Sequence, residues 1–166
     1  MRIDYGLSNL QKSANILIML IASHSLVAGY IGETIGNPIV AFLVGIVIHF
    51  ILDTVPHYDT TDKGKFTTRQ IALIVVDALI ALTVFCLILS KRGFNLSFIA
   101  GALGGIFPDI LDNVPFWRNR FRNTSFGKEF HKIHKAVHRK QPGAFWGILS
   151  QLIVITVFTY LLWGCS

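Results

Sequence analysis

Two pairs of polar residues interrupt the apolar stretches of this 166-residue chain. His49 and Asp53 are four residues apart, which places both on one face of a helix. Asp109 and Asp112 are three residues apart and also share a face. Aspartate and histidine together are ligands of zinc, manganese and iron. The pairs therefore predict a site for one or two divalent ions, where a coordinated water has a pKa of about 7 and acts as a nucleophile at neutral pH.

Three further residues of the same types lie in or beside the apolar segments. His24 stands inside the first segment and Asp77 inside the third. His57 follows Pro56, which disfavours helix at the preceding residue, so His57 is free to turn back toward the end of the second segment. An ionised group in hydrocarbon costs roughly 2.5 to 3.5 kcal/mol, and such groups usually face a cavity, a partner or an ion. These residues are predicted to join the same site.

The position of the acids along their helices points the same way. Asp53, Asp109 and Asp112 all fall at predicted helix C-terminal ends, where the helix dipole is negative and disfavours anions. A nearby cation must therefore balance them. A divalent metal would do so, and the alternative is pairing with Arg118 or Arg120 in the following loop.

Residues 125–140 predict an amphipathic helix that lies in the membrane interface. One stripe is apolar, the next carries His131 and His134, and a third is basic. The basic stripe is predicted to contact anionic lipid phosphates. The histidine stripe would then border the acidic residues.

The elements that must position these groups are membrane helices. Apolar residues make up 52% of the chain and charged residues 14%, against roughly 25% charge in soluble domains. This composition excludes a nucleic-acid-binding module despite a net charge of +6. We expect a single all-α, membrane-embedded domain over residues 1–166. Its five predicted transmembrane helices are 14–31, 38–52, 71–89, 96–111 and 145–163.

The basic residues predict the orientation. With the N-terminus in the cytoplasm, thirteen of the fifteen Lys and Arg residues fall on the cytoplasmic side. Only Lys91 and Arg92 fall on the other side. The C-terminus is therefore predicted to lie outside, and the metal site to lie at the cytoplasmic face.

Three motifs resemble those of a known family. They are Ser23-His24-Ser25 before Gly29, His49-Phe50-Ile51-Leu52-Asp53 before Pro56-His57, and Gly104-Gly105-Ile106-Phe107-Pro108-Asp109-Ile110-Leu111-Asp112. They are similar to motifs of the small bacterial membrane-bound metal-dependent hydrolases, a group that includes LexA-regulated inner-membrane proteins. The resemblance covers about a third of the chain. It implies the bacterial inner membrane, a hydrolytic activity, and histidine and aspartate ligands.

The chain also departs from the family pattern. The usual Pro-Asp-x-Asp-His has one extra residue here, and Asn113 stands where the histidine would follow. The Arg-Gly-x-Thr-His motif has no clear counterpart. Either His131 or His134 replaces the missing histidine, or the metal differs, or the site is inactive.

The leading hypothesis is a metal-dependent hydrolase of an ester or phosphoester in a lipid or lipid-linked substrate at the cytoplasmic leaflet. Zinc is the expected metal, with manganese or iron as alternatives. The predicted metal ligands are His24, His49, Asp53, Asp109 and Asp112. The predicted catalytic acid and base groups are His57, Asp77, His131 and His134. The alternatives are a transporter coupled to protons or divalent cations, and a non-catalytic scaffold that binds anionic lipid through its basic helix.

Overall fold

The computed structural model describes residues 21–55, 68–114, 116–137 and 144–164, and all regular structure within them is helical. This confirms the all-α prediction. The predicted residues 14–20, His57 and residues 138–140 lie outside the described part of the chain. The helices are α1 (Ile21–Ile35), α2 (Pro38–Asp53), α3 (Thr68–Arg92), α4 (Leu96–Asn113), α5 (Arg118–Asn123), α6 (Ser125–Val137) and α7 (Ala144–Gly164).

Short turns with similar chemistry join α1 to α2 and α3 to α4. Gly36 and Gly93 adopt φ values of 73° and 82°, a left-handed conformation that ends the preceding helix. Asn37 then accepts hydrogen bonds from two N–H groups of α2, and Asn95 does the same for α4. Pro38 opens α2, where its missing N–H has no cost. These turns set where both polar helices begin.

The centre of the fold is the close packing of α4 against α1 and α2. A Cβ atom on Gly104 would overlap the carbonyl oxygen of Phe42 in α2. A Cβ on Gly105 would lie 2.6 Å from the carbonyl oxygen of His24 in α1. Small residues allow helix backbones to approach in this way, as they do in membrane proteins. The approach brings the polar faces of three helices together at one end of the bundle.

The opposite end of the bundle is held by apolar side chains and by one arginine. Leu26, Phe98 and Leu162 are fully buried and belong to the apolar core that joins α1, α4 and α7. Arg92 of α3 donates hydrogen bonds to Glu33 at 2.9 Å and to the Leu162 carbonyl oxygen at 2.7 Å. One side chain therefore ties α3 to α1 and α7.

Two described helices are long and apolar enough to cross a membrane, namely Ile74–Arg92 within α3 and Phe145–Gly164 within α7. The sequence predicted five such helices. Of the first predicted segment only residues 21–31 are described, and α1 has 15 described residues. Helix α2 has 16 residues, against the roughly 20 needed to span a bilayer. In α4, Pro108, Asp109 and Asp112 occupy the last turns. Exposed apolar side chains on α2, α3 and α7 include Ile39, Leu43, Val47, Val75, Leu79, Leu82, Leu152 and Val157.

We expect Gly104→Ala to lower the free energy of unfolding by about 1–3 kcal/mol, the usual cost of forcing a methyl group into a packed interface. The clash is with the backbone of α2, which cannot move alone. Gly164→Ala is the control, because nothing lies within 4 Å of its Cβ position. Circular dichroism during denaturation in detergent measures both. Equal stability of the two variants would contradict the close packing.

Candidate metal centre

Four side chains from three helices meet at the end of the bundle, and we call them the His-Asp cluster: His49, Asp53, Asp109 and His134. The Nε2 atoms of His49 and His134 are 3.2 Å apart. Each Nε2 atom is also 3.2 Å from Asp53 Oδ2. Asp109 Oδ1 lies 3.9 Å from one Nε2 and 3.5 Å from the other. In a tetrahedral zinc site the ligand atoms are about 3.3 Å apart. The distances among His49, His134 and Asp53 therefore fit one ion, and the two distances from Asp109 Oδ1 are somewhat longer.

Hydrogen bonds behind the two histidines fix which ring nitrogen faces the cluster. His49 Nδ1 is 2.7 Å from the carbonyl oxygen of Gly105, which can only accept, so Nδ1 carries the proton. His134 Nδ1 is likewise 3.1 Å from Asp112 Oδ2. In the neutral rings, both Nε2 atoms therefore direct a lone pair into the cluster. An outer partner of this kind is typical of metal-binding histidines.

The two carboxylates of the cluster have outer partners as well. Asp53 Oδ1 is 3.1 Å from His24 Nε2, which leaves Oδ2 as the oxygen that faces the cluster. Asp109 Oδ1 accepts a hydrogen bond of 2.8 Å from Asn113. All four side chains are thus oriented by a second group, which is the arrangement a pre-formed metal site needs.

The charges of the site call for a cation. Asp53, Asp109 and Asp112 carry three negative charges, and Arg122 supplies one positive charge at 2.8 Å from Asp112. One divalent ion bound between neutral histidines would bring this group of side chains to neutrality. Two such ions would leave it with excess positive charge. The balance favours a single ion.

The same negative charges affect the pKa of His134. Burial lowers the pKa of this histidine, but hydrogen bonds to Asp112 and Asp53 outweigh burial and raise it to about 10. Without a metal, a proton on His134 therefore supplies part of the positive charge. The carboxylates stabilise a cation at this position in either state.

The structure distributes the sequence-predicted residues differently from the expected ligand set. His134, predicted as an acid or base, presents Nε2 to the cluster. Asp112, predicted as a ligand, stands behind His134 and also accepts from His131 at 2.7 Å and from Arg122 at 2.8 Å. His24, another predicted ligand, contacts Asp53 from behind. In this geometry Asp112 is an outer partner of His134, whereas His24 forms with His49 and Asp53 a second group that could hold an ion.

Asp77 takes a different position from the one expected for a catalytic group. Its Oδ2 accepts a hydrogen bond of 2.8 Å from the N–H of Ile21, the first residue of α1. A carboxylate at a helix N-terminus is favourable because the helix dipole is positive there. Asp77 thus anchors α1 three residues before His24.

Two contributors to the site had no usable signal in the sequence. Arg122, rather than Arg118 or Arg120, pairs with Asp112, and three arginines at alternate positions do not show which one will face an acid. The second contributor is the backbone carbonyl oxygen of Gly105, and because every residue has such an oxygen, the residue type does not reveal its role. Both depend on the final packing of α4 and α5.

Among the described residues, the buried and the partly exposed side chains of the site lie on different sides. His24, His49, Asp53, Asp112 and His134 are buried. The side chains of Asp109, Arg122 and His131 are 16%, 30% and 35% exposed. A substrate would therefore approach past α5 and α6, beside Asp109.

Comparisons of the chain with protein-family models, with curated proteins and with solved structures found no match. The family resemblance of the three sequence motifs remains a prediction. The structure does bring residues of those motifs together, because His24, Asp53 and His49 form one potential metal-binding group and His49, Asp109 and His134 form another. Both groups share His49, and its Nε2 can bind only one ion at a time.

We expect Asp53→Asn to lower metal affinity by more than about 100-fold, the upper limit for loss of an outer partner alone. Asp77→Asn is the matched control, since Asp77 is equally buried and its amide oxygen would still accept from Ile21. Elemental mass spectrometry after dialysis against a metal buffer measures both. Retention of metal by Asp53→Asn, or equal loss in both, would contradict the assignment.

Asp112→Asn is expected to lower metal affinity by about 10- to 100-fold, because it weakens the hold on His134 without removing a ligand. Competition with a metallochromic chelator measures the change. A loss as large as that of Asp53→Asn would show instead that Asp112 binds the ion directly.

Proposed function

We propose that this chain is a membrane-embedded, metal-dependent hydrolase that cleaves an ester or phosphoester of a lipid or lipid-linked substrate at the cytoplasmic leaflet. The observation that carries the proposal is the His-Asp cluster. Its ligand atoms converge within the spacing of one ion, and each has an outer partner. A largely buried group of ligands with partly exposed polar side chains beside it is typical of a catalytic centre rather than of a surface ion site.

The donor set is two imidazole nitrogens and two carboxylate oxygens. It suits zinc best, and manganese or iron are also compatible. When bound, such an ion supplies Lewis acidity for a phosphoryl or carbonyl oxygen and lowers the pKa of a coordinated water to about 7. The proposal is for one ion per chain, from the charge balance around Asp53, Asp109 and Asp112.

The chain's own residues would then have separate tasks. His49, Asp53, Asp109 and His134 would hold the ion. His131 would act as the general acid or base, because it is the half-open imidazole beside the cluster and Asp112 holds its Nδ1 proton, leaving Nε2 for the substrate. His57 lies outside the described residues and has no assigned task.

We propose that the five predicted segments form one membrane-embedded bundle, with α3 and α7 spanning and the shorter α2 packed beside them. α5 and α6 belong to the same end as the cluster, since Arg122 and His134 contact it. The arginines and lysines of these helices support a cytoplasmic position for that end by the positive-inside rule. The N-terminus would then be cytoplasmic and the C-terminus outside.

Helix α6 suits contact with the membrane surface. Phe126 and Ile133 are exposed apolar side chains on this helix, and Lys128 and Lys132 are exposed basic ones. Helices with this composition lie in the interface and bind anionic lipids. A substrate held in the inner leaflet would reach the opening of the site laterally.

Ion or proton transport has less support. A transport path needs polar groups through the full depth of the membrane. Beyond the cluster, the core between α1, α4 and α7 contains Leu26, Phe98 and Leu162, all almost completely buried. Gln151 is a further buried polar residue in α7, but among the described residues this apolar core counts against a continuous polar path through α1, α4 and α7.

Hydrolysis can be tested with the purified full-length protein in vesicles of bacterial lipid extract, with the lipids followed by mass spectrometry. We expect metal-dependent cleavage, and we expect His131→Gln to reduce kcat by about 10²- to 10⁴-fold, as loss of a general acid or base does. Glu129→Gln, an exposed change two residues away on the same helix, is the control and should leave kcat within about twofold, as for surface changes.

Metal content must be measured on the same samples. Unchanged turnover in His131→Gln would contradict its acid-base role. Cleavage that persists in Asp53→Asn, or no cleavage of any lipid by the metal-loaded protein, would contradict the proposed function.

A further inference from the structure

Arg122 on α5 is joined to two sides of the metal centre. Its Nε donates to Asp112 Oδ1 at 2.8 Å, and its Nη2 donates to Asn113 Oδ1 at 3.3 Å. Asn113 in turn donates to Asp109 at 2.8 Å. The guanidinium is therefore fixed beside Asp109, the most exposed member of the His-Asp cluster.

The bonds of Arg122 use only part of its donor capacity. A guanidinium has five N–H donors in a rigid fork, and Nη1 has no partner among the described residues. The side chain is 30% exposed, so these remaining donors are accessible. Asp112 also accepts from His131 and His134, so it does not need the whole guanidinium as a counter-ion.

Arg122 and His131 form one wall of the opening. Each binds a different oxygen of Asp112, so the two side chains lie next to each other. Both are partly exposed, whereas the ligands His49, Asp53 and His134 are buried. An anion that reaches the Asp109 side of the site would contact this wall.

The surroundings of the wall are basic. Helix α5 has the sequence RNRFRN, with three arginines and no acid. A planar guanidinium can bind a carboxylate with one edge and a phosphate with another, which an ammonium group cannot do. A neutral ester would gain nothing from these features, but a phosphoester would.

We propose that Arg122 is the substrate phosphate-binding residue of this site and that it selects phosphoesters over neutral esters. The inference rests on the proposed function for the neighbouring metal and narrows its substrate class. Arg122 receives the phosphate oxygens on Nη1, while Asp112 and Asn113 hold the guanidinium in place. No covalent step is assigned to Arg122.

The test uses binding rather than turnover. Inorganic phosphate is titrated by calorimetry into full-length, metal-loaded protein in detergent, with metal content measured on each sample. We expect Arg122→Gln to weaken phosphate binding by about 10- to 100-fold, the usual effect of losing a charge-assisted hydrogen bond. Arg122→Lys keeps the charge but loses the forked guanidinium. Its phosphate affinity is expected to lie between those of the wild type and Arg122→Gln. The metal content should stay unchanged in both.

Arg120→Gln is the matched control, since Arg120 is exposed on the same helix and the variant loses the same charge. It should change phosphate affinity by no more than about twofold, as an exposed charge does. Equal weakening of phosphate binding by Arg120→Gln and Arg122→Gln would overturn the proposal. The weakening would then come from the loss of positive charge on α5 and not from a specific contact of Arg122. Loss of metal in Arg122→Gln would also overturn it, since Arg122 would then act only through Asp112.

The outcomes separate this inference from the proposed function. A wild-type protein that binds its metal and hydrolyses a neutral ester but does not bind inorganic phosphate would overturn the inference alone. A wild-type protein that binds no metal would contradict the proposed function, whatever Arg122 does. Dihexanoyl phosphatidic acid and glycerol phosphate, titrated in parallel, distinguish a lipid headgroup from a soluble phosphoester. Dependence of either on Arg122 supports the inference.

Discussion

The close approach of the α4 backbone to α1 and α2 is the constraint on which the site depends. Gly105 shows why, because two of its properties are used at once. A side chain there would collide with the His24 carbonyl oxygen in α1, so only glycine lets the helices meet. The carbonyl oxygen of Gly105 accepts a hydrogen bond from Nδ1 of His49 in α2. This bond directs Nε2 of His49 toward the cluster. Packing and ligand orientation therefore come from the same backbone contact.

The electrostatics of the site follow from that packing. Asp53 and Asp112 lie at the C-terminal ends of α2 and α4, where the helix dipoles already make the environment negative. Removing them from water without a cation would be unfavourable. Of the three negative charges of Asp53, Asp109 and Asp112, Arg122 offsets one, and a divalent ion would offset the other two. The site is thus built to hold positive charge in a part of the fold that otherwise buries apolar groups.

Part of the fold and of the site could be predicted from the sequence. The rest depends on tertiary packing, which the sequence pattern does not show. Periodicity and composition predicted the all-helical fold, and the spacing of His49 and Asp53 predicted their shared face. The sequence offered His131 and His134 as alternatives for the missing histidine, and which of them faces the cluster depends on how α6 docks against α4, which no local spacing encodes. The position of Asp112 behind His134 depends on the same docking. Fewer candidate spans are found among the described residues than the five predicted, because α2 is as short as its predicted segment 38–52 and falls below the roughly 20 residues that a span needs.

The central claim is that two imidazoles and two carboxylates bind one ion at the end of the α1, α2 and α4 bundle. X-ray absorption spectroscopy of the zinc-loaded protein in detergent tests this most directly. The account predicts about one zinc per chain, with nitrogen and oxygen neighbours at about 2.0–2.2 Å and the outer-ring scattering of two imidazoles. Sulfur neighbours at about 2.3 Å, or oxygen neighbours without imidazole, would contradict it.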